Sequence, residues 1–466
     1  MNVKELENAE KWAVETFGAA DLGDPRRTDR LVKVATALGE NPSVSLPRSM
    51  RNWAETQGAY RFLGNEAVSH EQIMMPHWIQ TRSEAEQRSQ VLLIGDTTDV
   101  NLSSHKTTKG LGPVGRGNKA QGFFVHSVLA VDASDKQLLG CMGQEAFVRE
   151  PAPEKETKAE RNARWRESLI WQQSIERIGS VPANTQWIYV GDRGSDLFRF
   201  WQRCQELGYD FVTRVAQNRN VLVEGEDEQE DPTVEHLKTL ARCLPAKGVG
   251  VLIVPAERGR PEREALVHIS WSQVEIQPPA DGTAFYQRGM KVSVVRIWEP
   301  EPLEDVEALE WILVTSLTVN TPEDAWQRIM WYKWRWLVED FHKVLKTGCL
   351  LEERCLQTVG AFCNLLGILT PTAMRLLWLR ETAQTAPDTP ATEVISKEVI
   401  QVVLHLDKRP EATLTARDFW HTIARFGGYL DRKSDPPPGW LTLWRGWIRV
   451  QTVLEGVHLA RQFPPS

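Results

Sequence analysis

The chain has 466 residues, 41% of them hydrophobic, with six cysteines, 19 tryptophans and a formal net charge of −7. That length suits about two to four domains with real apolar cores, and the cysteines form neither a C-x-x-C pair nor a Cys/His zinc spacing, which excludes a disulfide scaffold and a structural zinc module and points to reduced thiols of a cytoplasmic protein. The first residues do not read as a signal peptide and no apolar run is expected to reach membrane length; the acidic balance argues mildly against a nucleic-acid partner, although DNA responds to local clusters of Lys and Arg and not to their sum.

Residues 1–70 read as helices. Asp24 is a good N-cap and Pro25 suits the first helical position; Arg26, Arg27 and Arg30 then project near one another, opposite a buried face of Leu31, Val34 and Leu38. A sheet-rich stretch follows. Residues 91–94 and 187–190 are short apolar runs that both end in Gly-Asp, at Asp96 and Asp192; such runs read as buried strands, and an acid just past one is placed at the sheet edge where sites gather. Phe123 to Val131 and Leu138 to Val148 read as further strands, 158–178 as a charged helix, Asp196 to Leu207 as a helix and Asp210 to Val215 as a strand. Asp99 and Asp196 read as caps or turns. In the long stretch before Glu339, alternation and β-branching predict strands at Val249 to Val254, Glu264 to Trp271, Lys291 to Ile297 and Trp311 to Leu317. The acidic run Glu224 to Asp231 reads as a solvated loop, Thr382 to Thr392 as a surface linker, and 395–460 as helices broken at Pro436 to Pro438.

Within that order, residues 331–346 carry the strongest pattern. As a helix, they place Tyr332, Arg335, Glu339 and Lys346 on one stripe about 60° wide, with Trp336 and Lys343 beside it and Trp334, Leu337, Phe341, Val344 and Leu345 opposite. A lone carboxylate among a phenol, a guanidinium and amines suits a polyanion held beside a metal-binding acid. An ordinary amphipathic helix with i,i+4 charge pairs has the same appearance. Asp96, Asp192 and Glu339 together make an oxygen donor set for a hard divalent cation. His342, beside the stripe, reads as a packing residue.

The spacing Tyr332-x2-Arg335-x3-Glu339-x6-Lys346 resembles the signature of DDE transposases of bacterial insertion sequences, and within them the Tn-five type. The likeness extends to residues 20–32 and 55–62, which resemble that group's N-terminal DNA-binding helices, to the blocks around Asp96 and Asp192, and to 423–429 and 440–447 near the C-terminus. The resemblance implies an α/β ribonuclease-H-like catalytic core with a mixed sheet at 71–370, a helical DNA-binding domain at 1–70, a β-rich insertion at about 217–310, and a helical C-terminal domain at 371–466 suited to dimerisation. It implies catalysis by Asp96, Asp192 and Glu339 with Mg²⁺, for which Mn²⁺ can substitute. DNA contacts are expected at Tyr332, Arg335, Lys343, Lys346, Arg26, Arg27 and Arg30, and stacking of a flipped base on Trp311 or Trp336. The chain departs from the group in its insertion, where 254–263 is mixed in charge and not strongly basic, which puts the share of Arg258, Arg260 and Arg263 in doubt. The expected activity is cut-and-paste transposition: binding terminal inverted repeats, cleaving donor DNA through a hairpin, and joining 3′ ends to target DNA as a homodimer, with no membrane involved. A metal-dependent nuclease that does not join ends, and a catalytically silent DNA-binding inhibitor, are the alternatives.

Overall fold

The structure is a computed structural model. It describes residues 9–462 apart from 41, 116, 118, 151–152, 154, 158–159, 161–163, 224–232, 255–262, 280–287, 303–307, 386–387, 410–412, 433–434 and 436–437. The acidic run at 224–231, and Arg258 and Arg260, therefore lie outside the described residues.

Five helices open the chain: α1 (Ala9–Phe17), α2 (Pro25–Glu40), α3 (Leu46–Ser49), α4 (Trp53–Leu63) and α5 (His70–Glu86). The start of α2 follows from its cap: the Asp24 carboxylate accepts the Arg26 N–H at 2.9 Å and Pro25 occupies the first turn. Leu31, Val34 and Leu38 form its buried face, as their spacing predicts. Asn52 caps α4, and Ser69 and Gln72 form a capping box on α5. The expected boundary at residue 70 is not a break in packing, because α5 lies against both α1 and the sheet.

The sheet begins with β1 (Gln90–Asn101), β2 (Gly112–Val114), β3 (Ala120–Asp132) and β4 (Leu138–Phe147), in which β1, β2 and β4 each pair antiparallel with β3. Helix α6 (Ile170–Ile178) leads to β5 (Gln186–Gly191), parallel to β1, and α7 (Phe198–Leu207) leads to β6 (Asp210–Arg214), parallel to β5. Three antiparallel strands followed by two parallel ones joined by helices is the ribonuclease-H-like arrangement, and the α/β mixed sheet is as expected. Both faces are covered. Leu92 and Ile94 point to one core and Val91 and Leu93 to the other, which is why this strand reads as a continuous apolar run.

The β-rich stretch does not form a separate body. After β7 (Asn220–Val223), β8 (Thr233–His236) and α8 (Leu237–Cys243) come β9 (Gly248–Val254), β10 (Arg263–Ile276), β11 (Met290–Trp298) and β12 (Glu310–Thr315). Strand β12 pairs antiparallel with both β6 and β11, so among the described residues the sheet runs unbroken through twelve strands. Two expectations need qualification. Of the expected helix at 158–178, residues 158–159 and 161–163 lie outside the described residues; Trp165 packs edge-on against Phe147 at 5.1 Å, Arg166 is extended, and a 3₁₀ turn at Glu167–Leu169 leads into α6. The expected linker at 382–392 is helical at both ends.

Helices α9 (Pro322–Trp334) and α10 (Trp336–Lys343) precede the long α11 (Val359–Thr385), α12 (Ala391–Val394), α13 (Lys397–Leu406), α14 (Ala416–Phe426) and α15 (Trp440–Gln462). Helix α11 persists to Thr385 because Glu381 is buried and bonded to Lys136 at 2.8 Å. Contrary to expectation, its Val359–Trp378 segment is long and apolar enough to cross a membrane; 83% of its most apolar window is buried inside the protein, where it forms a central core helix. Of the expected break at 436–438, residues 436–437 lie outside the described residues and Pro438 lies between α14 and α15. These two helices approach backbone to backbone: a Cβ on Gly446 would stand 1.7 Å from the Ile423 carbonyl oxygen, and one on Gly427 1.9 Å from that of Thr442. Gly446→Ala will therefore destabilise the C-terminal pair by about 1–3 kcal/mol, read as a lower midpoint in urea; an unchanged midpoint would mean the helices separate without cost.

Candidate active site

The parallel pairing of β1 with β5 sets Ile94 opposite Val190. Asp96 and Asp192 each lie two residues further on, so the register brings both acids to the same level of adjacent strands. Only Asp192 follows the end of its strand. Asp96 lies inside β1, which continues to Asn101 against β3, a correction to the expected strand end. The Asp192 side chain caps a 3₁₀ turn, Arg193–Ser195, accepting the Gly194 N–H at 2.7 Å. The absence of a side chain at Gly191 makes room for Ser195, whose Oγ would be 2.3 Å from a Cβ there.

Glu339 enters from α10. The predicted single helix is broken here: α9 ends at Trp334, Arg335 forms the joint, and a π-turn follows at Val344–Gly348. Arg335 is 8% exposed. Its Nη1 donates to Asp96 Oδ2 at 3.2 Å and its Nη2 to Glu339 Oε1. Burial and the neighbouring Asp192 push the Asp96 carboxyl up to about 7; Arg335 and the Thr97 N–H pull it back, and Glu339 raises it further. Burial works against the Arg335 charge as well, but Tyr332, Glu339 and Asp96 together hold it above its usual range. The three acids thus share one electrostatic volume, with a guanidinium standing between two of them. Among the described residues, no three His, Cys, Asp or Glu side chains are already gathered to ligating distance.

The rest of the stripe is dispersed. Tyr332 is 4% exposed and packs edge-on against Trp311 at 5.1 Å, so its phenol is withdrawn from the surface that the helical wheel predicts. The π-turn carries Lys346 away from Glu339, to within 3.3 Å of Asp99 and 3.8 Å of Glu352. Asp99 is therefore a strand residue in an ion pair and not a cap. Asp196 is buried, accepts the Ala216 and Gln217 N–H groups, both at 2.6 Å, and pairs with Arg219, bracing a turn. His342 is buried, its Nε2 lacks a partner, and burial pushes it down to about 3, consistent with packing. Trp336 is 47% exposed beside Arg335, and Lys343 is exposed. Trp311 is half-buried.

At the N-terminus the three arginines have separate anchors. Arg26 forks onto Asp24, Arg27 donates to the Leu22 carbonyl at 2.8 Å, and Arg30 lies over Gly58, lining a groove with Lys33 and Arg51. Two features escaped sequence reasoning. Arg193, Arg214, Lys238 and Arg242 line a basic hollow around Glu310, the four drawn from three separate elements. A chain of Thr97, His126 and Tyr189, the last two fully buried, lies beneath Asp96; the glycine before the acid was its one signal.

A solved structure of the piggyBac transposase synaptic complex with hairpin DNA is similar over 82% of this chain and 78% of that chain, at 10% identity and a TM-score of 0.30. Residues 169–370 match the family described as transposase DDE domain; Asp192 and Glu339 fall inside this span and Asp96 before it. Residues 9–68, which include α2 and α4, match the family described as transposase DNA-binding. The two spans cover more than half of the chain, and together they place it among the DDE transposases, proteins that bind and rearrange DNA.

Proposed function

We propose that this transposase works by cut-and-paste, in the manner of the Tn-five type from bacterial insertion sequences, with Asp96, Asp192 and Glu339 as its catalytic acids. The observation that carries the reading is the convergence of the three acids: Arg335 reaches both Asp96 and Glu339, the β1–β5 register sets Asp192 level with Asp96, and burial with Asp192 pushes the Asp96 carboxyl up against the pull of Arg335. Three acids crowded into a low-dielectric site call for a cation, and their oxygens suit Mg²⁺, with Mn²⁺ as substitute. When bound, such ions supply an activated water or 3′-hydroxyl and stabilise the leaving oxygen. In the free protein Arg335 satisfies part of that demand. On DNA its planar fork would turn to a phosphate, which it can grip bidentately, releasing the two carboxylates. The exposed Trp336 beside Arg335 and the exposed Lys343 would add contacts to the same DNA, and Lys346 would reach it from its place beside Asp99 and Glu352. Arg26, Arg27 and Arg30 would hold the terminal inverted repeats, and α12 to α15 would form the homodimer contact that pairs two ends.

The test is strand transfer. Protein, Mg²⁺ and a precut transposon end are incubated with a plasmid, and joined product is scored on a gel. Joining supports the reading; cleavage alone would make the protein a nuclease, and binding alone a silent inhibitor.

A hairpin route gives Trp311 a role. It begins an aromatic row, Trp311, Tyr332, then Arg335 and Trp336, against which an extruded base could stack. Stacking is worth about 1–3 kcal/mol per base, comparable with the cost of flipping. Trp311→Ala will spare the first nick and slow hairpin closure roughly 10-fold, with Trp311→Phe milder. A denaturing-gel time course resolves the steps; equal slowing of nick and hairpin would make Trp311 a plain packing residue.

A further inference from the structure

Behind β1, on the face covered by α6 and α7, lies a polar chain that the acids themselves do not require. Tyr189 belongs to β5, three residues before Asp192. Its hydroxyl is 3.3 Å from His126 Nε2 on β3, and His126 Nδ1 is 2.8 Å from Thr97 Oγ1 on β1. The Thr97 N–H in turn donates to Asp96 Oδ1 at 2.7 Å. Tyr189 and His126 are fully buried. Trp171 of α6 closes the compartment edge-on, 4.8 Å from the His126 ring and 6.1 Å from that of Tyr189. The hydroxyl fits only because residue 95 has no side chain: a Cβ there would stand 1.8 Å from it.

Apolar residues could fill this space without the cost of desolvating a phenol and an imidazole. The polar version does something apolar packing does not. It ties the strand carrying Asp192, through β3, to the residue whose N–H orients the Asp96 carboxylate. Linked buried hydrogen bonds of this kind restrict the backbone to one arrangement. We propose that Tyr189 and His126 are positioning residues that fix the aim of Asp96 and its spacing from Asp192, so that the two acids meet a divalent ion together. Groups that orient ligands in this way change metal affinity without touching the metal. The inference rests on the reading of Asp96 as a metal ligand.

The experiment is Mn²⁺ titration of the full-length protein, followed by electron paramagnetic resonance, with thermal melting in parallel. Tyr189→Phe removes a single oxygen and keeps the core filled. It will raise the Mn²⁺ concentration at half-saturation about 10-fold, and His126→Leu up to about 100-fold. His126→Gln, which keeps a polar group for Thr97, will recover part of that loss. Titrations of Tyr189→Phe and His126→Leu that superimpose on the wild type while melting falls would overturn the proposal and leave ordinary packing. Asp96→Ala is the control: if it too leaves the Mn²⁺ titration unchanged, the ligand reading of Asp96 fails, and the positioning role with it.

Discussion

Alanine at Asp192 or Glu339, or asparagine at Asp96, will lower donor-strand cleavage by about 10³-fold or more, since each change removes an oxygen donor from a site whose ions supply several kcal/mol of barrier lowering. End binding will persist, because these acids are not part of the α2 surface. EDTA will reproduce the loss in the wild type. The check is a supercoiled plasmid carrying the transposon ends, with products separated on a denaturing gel; near-normal cleavage by any one variant removes that residue from the site. The same substitution at Asp96 will have the opposite sign on stability. Its folded-state value of about 7 lies above the ordinary carboxylate range, so deprotonation favours the unfolded chain. The wild type loses this contribution as pH rises from about 4 through 7, and Asp96→Asn does not. In metal-free buffer the variant will match the wild type below pH 4 and exceed it by on the order of 1–3 kcal/mol above pH 7. A constant difference across that window would mean that the Asp96 charge is not the cause.

Arg335→Ala will impair the protein twice. In the metal-free fold it leaves Asp96 and Glu339 without their shared cation, and breaking a buried pair from one side costs about 3–5 kcal/mol. Mg²⁺ will restore much of that loss in the variant and little in the wild type, because the ion takes over the neutralising role. On DNA, the variant loses a phosphate contact, so the slope of log affinity against log salt will flatten by about 0.9 and cleavage will fall by about 10²-fold. Arg335→Lys will recover stability but little cleavage, since an ammonium cannot reproduce the fork. Salt slopes equal to those of the wild type would confine Arg335 to a structural ion pair.

Much of the core is readable in the chain itself. The strands at Asp96 and Asp192, the flanking β-hairpin, the four later strands and the cap of α2 all follow from runs and caps a few residues long. Glycines at 95 and 191 mark the two acids, and each proves to be a place where a side chain would strike a neighbour. The helix carrying Glu339 is less faithfully encoded. An ideal wheel assigns Tyr332 and Lys346 to the Glu339 stripe, but the joint at Arg335 and the π-turn at 344–348 rotate one inward and send the other to Asp99.

Sequence alone therefore determines the elements, the candidate acids and the likeness to a family, because periodicity and capping depend on neighbours within a turn or two of chain. Tertiary structure decides what those acids face. Arg335 meets Asp96 across 239 residues of sequence, the β1–β5 register sets the level of the two aspartates, and Tyr189 reaches Thr97 only through a histidine on a third strand. Distances of that kind are fixed by strand pairing and the packing of α10 on the sheet, and no local pattern carries them.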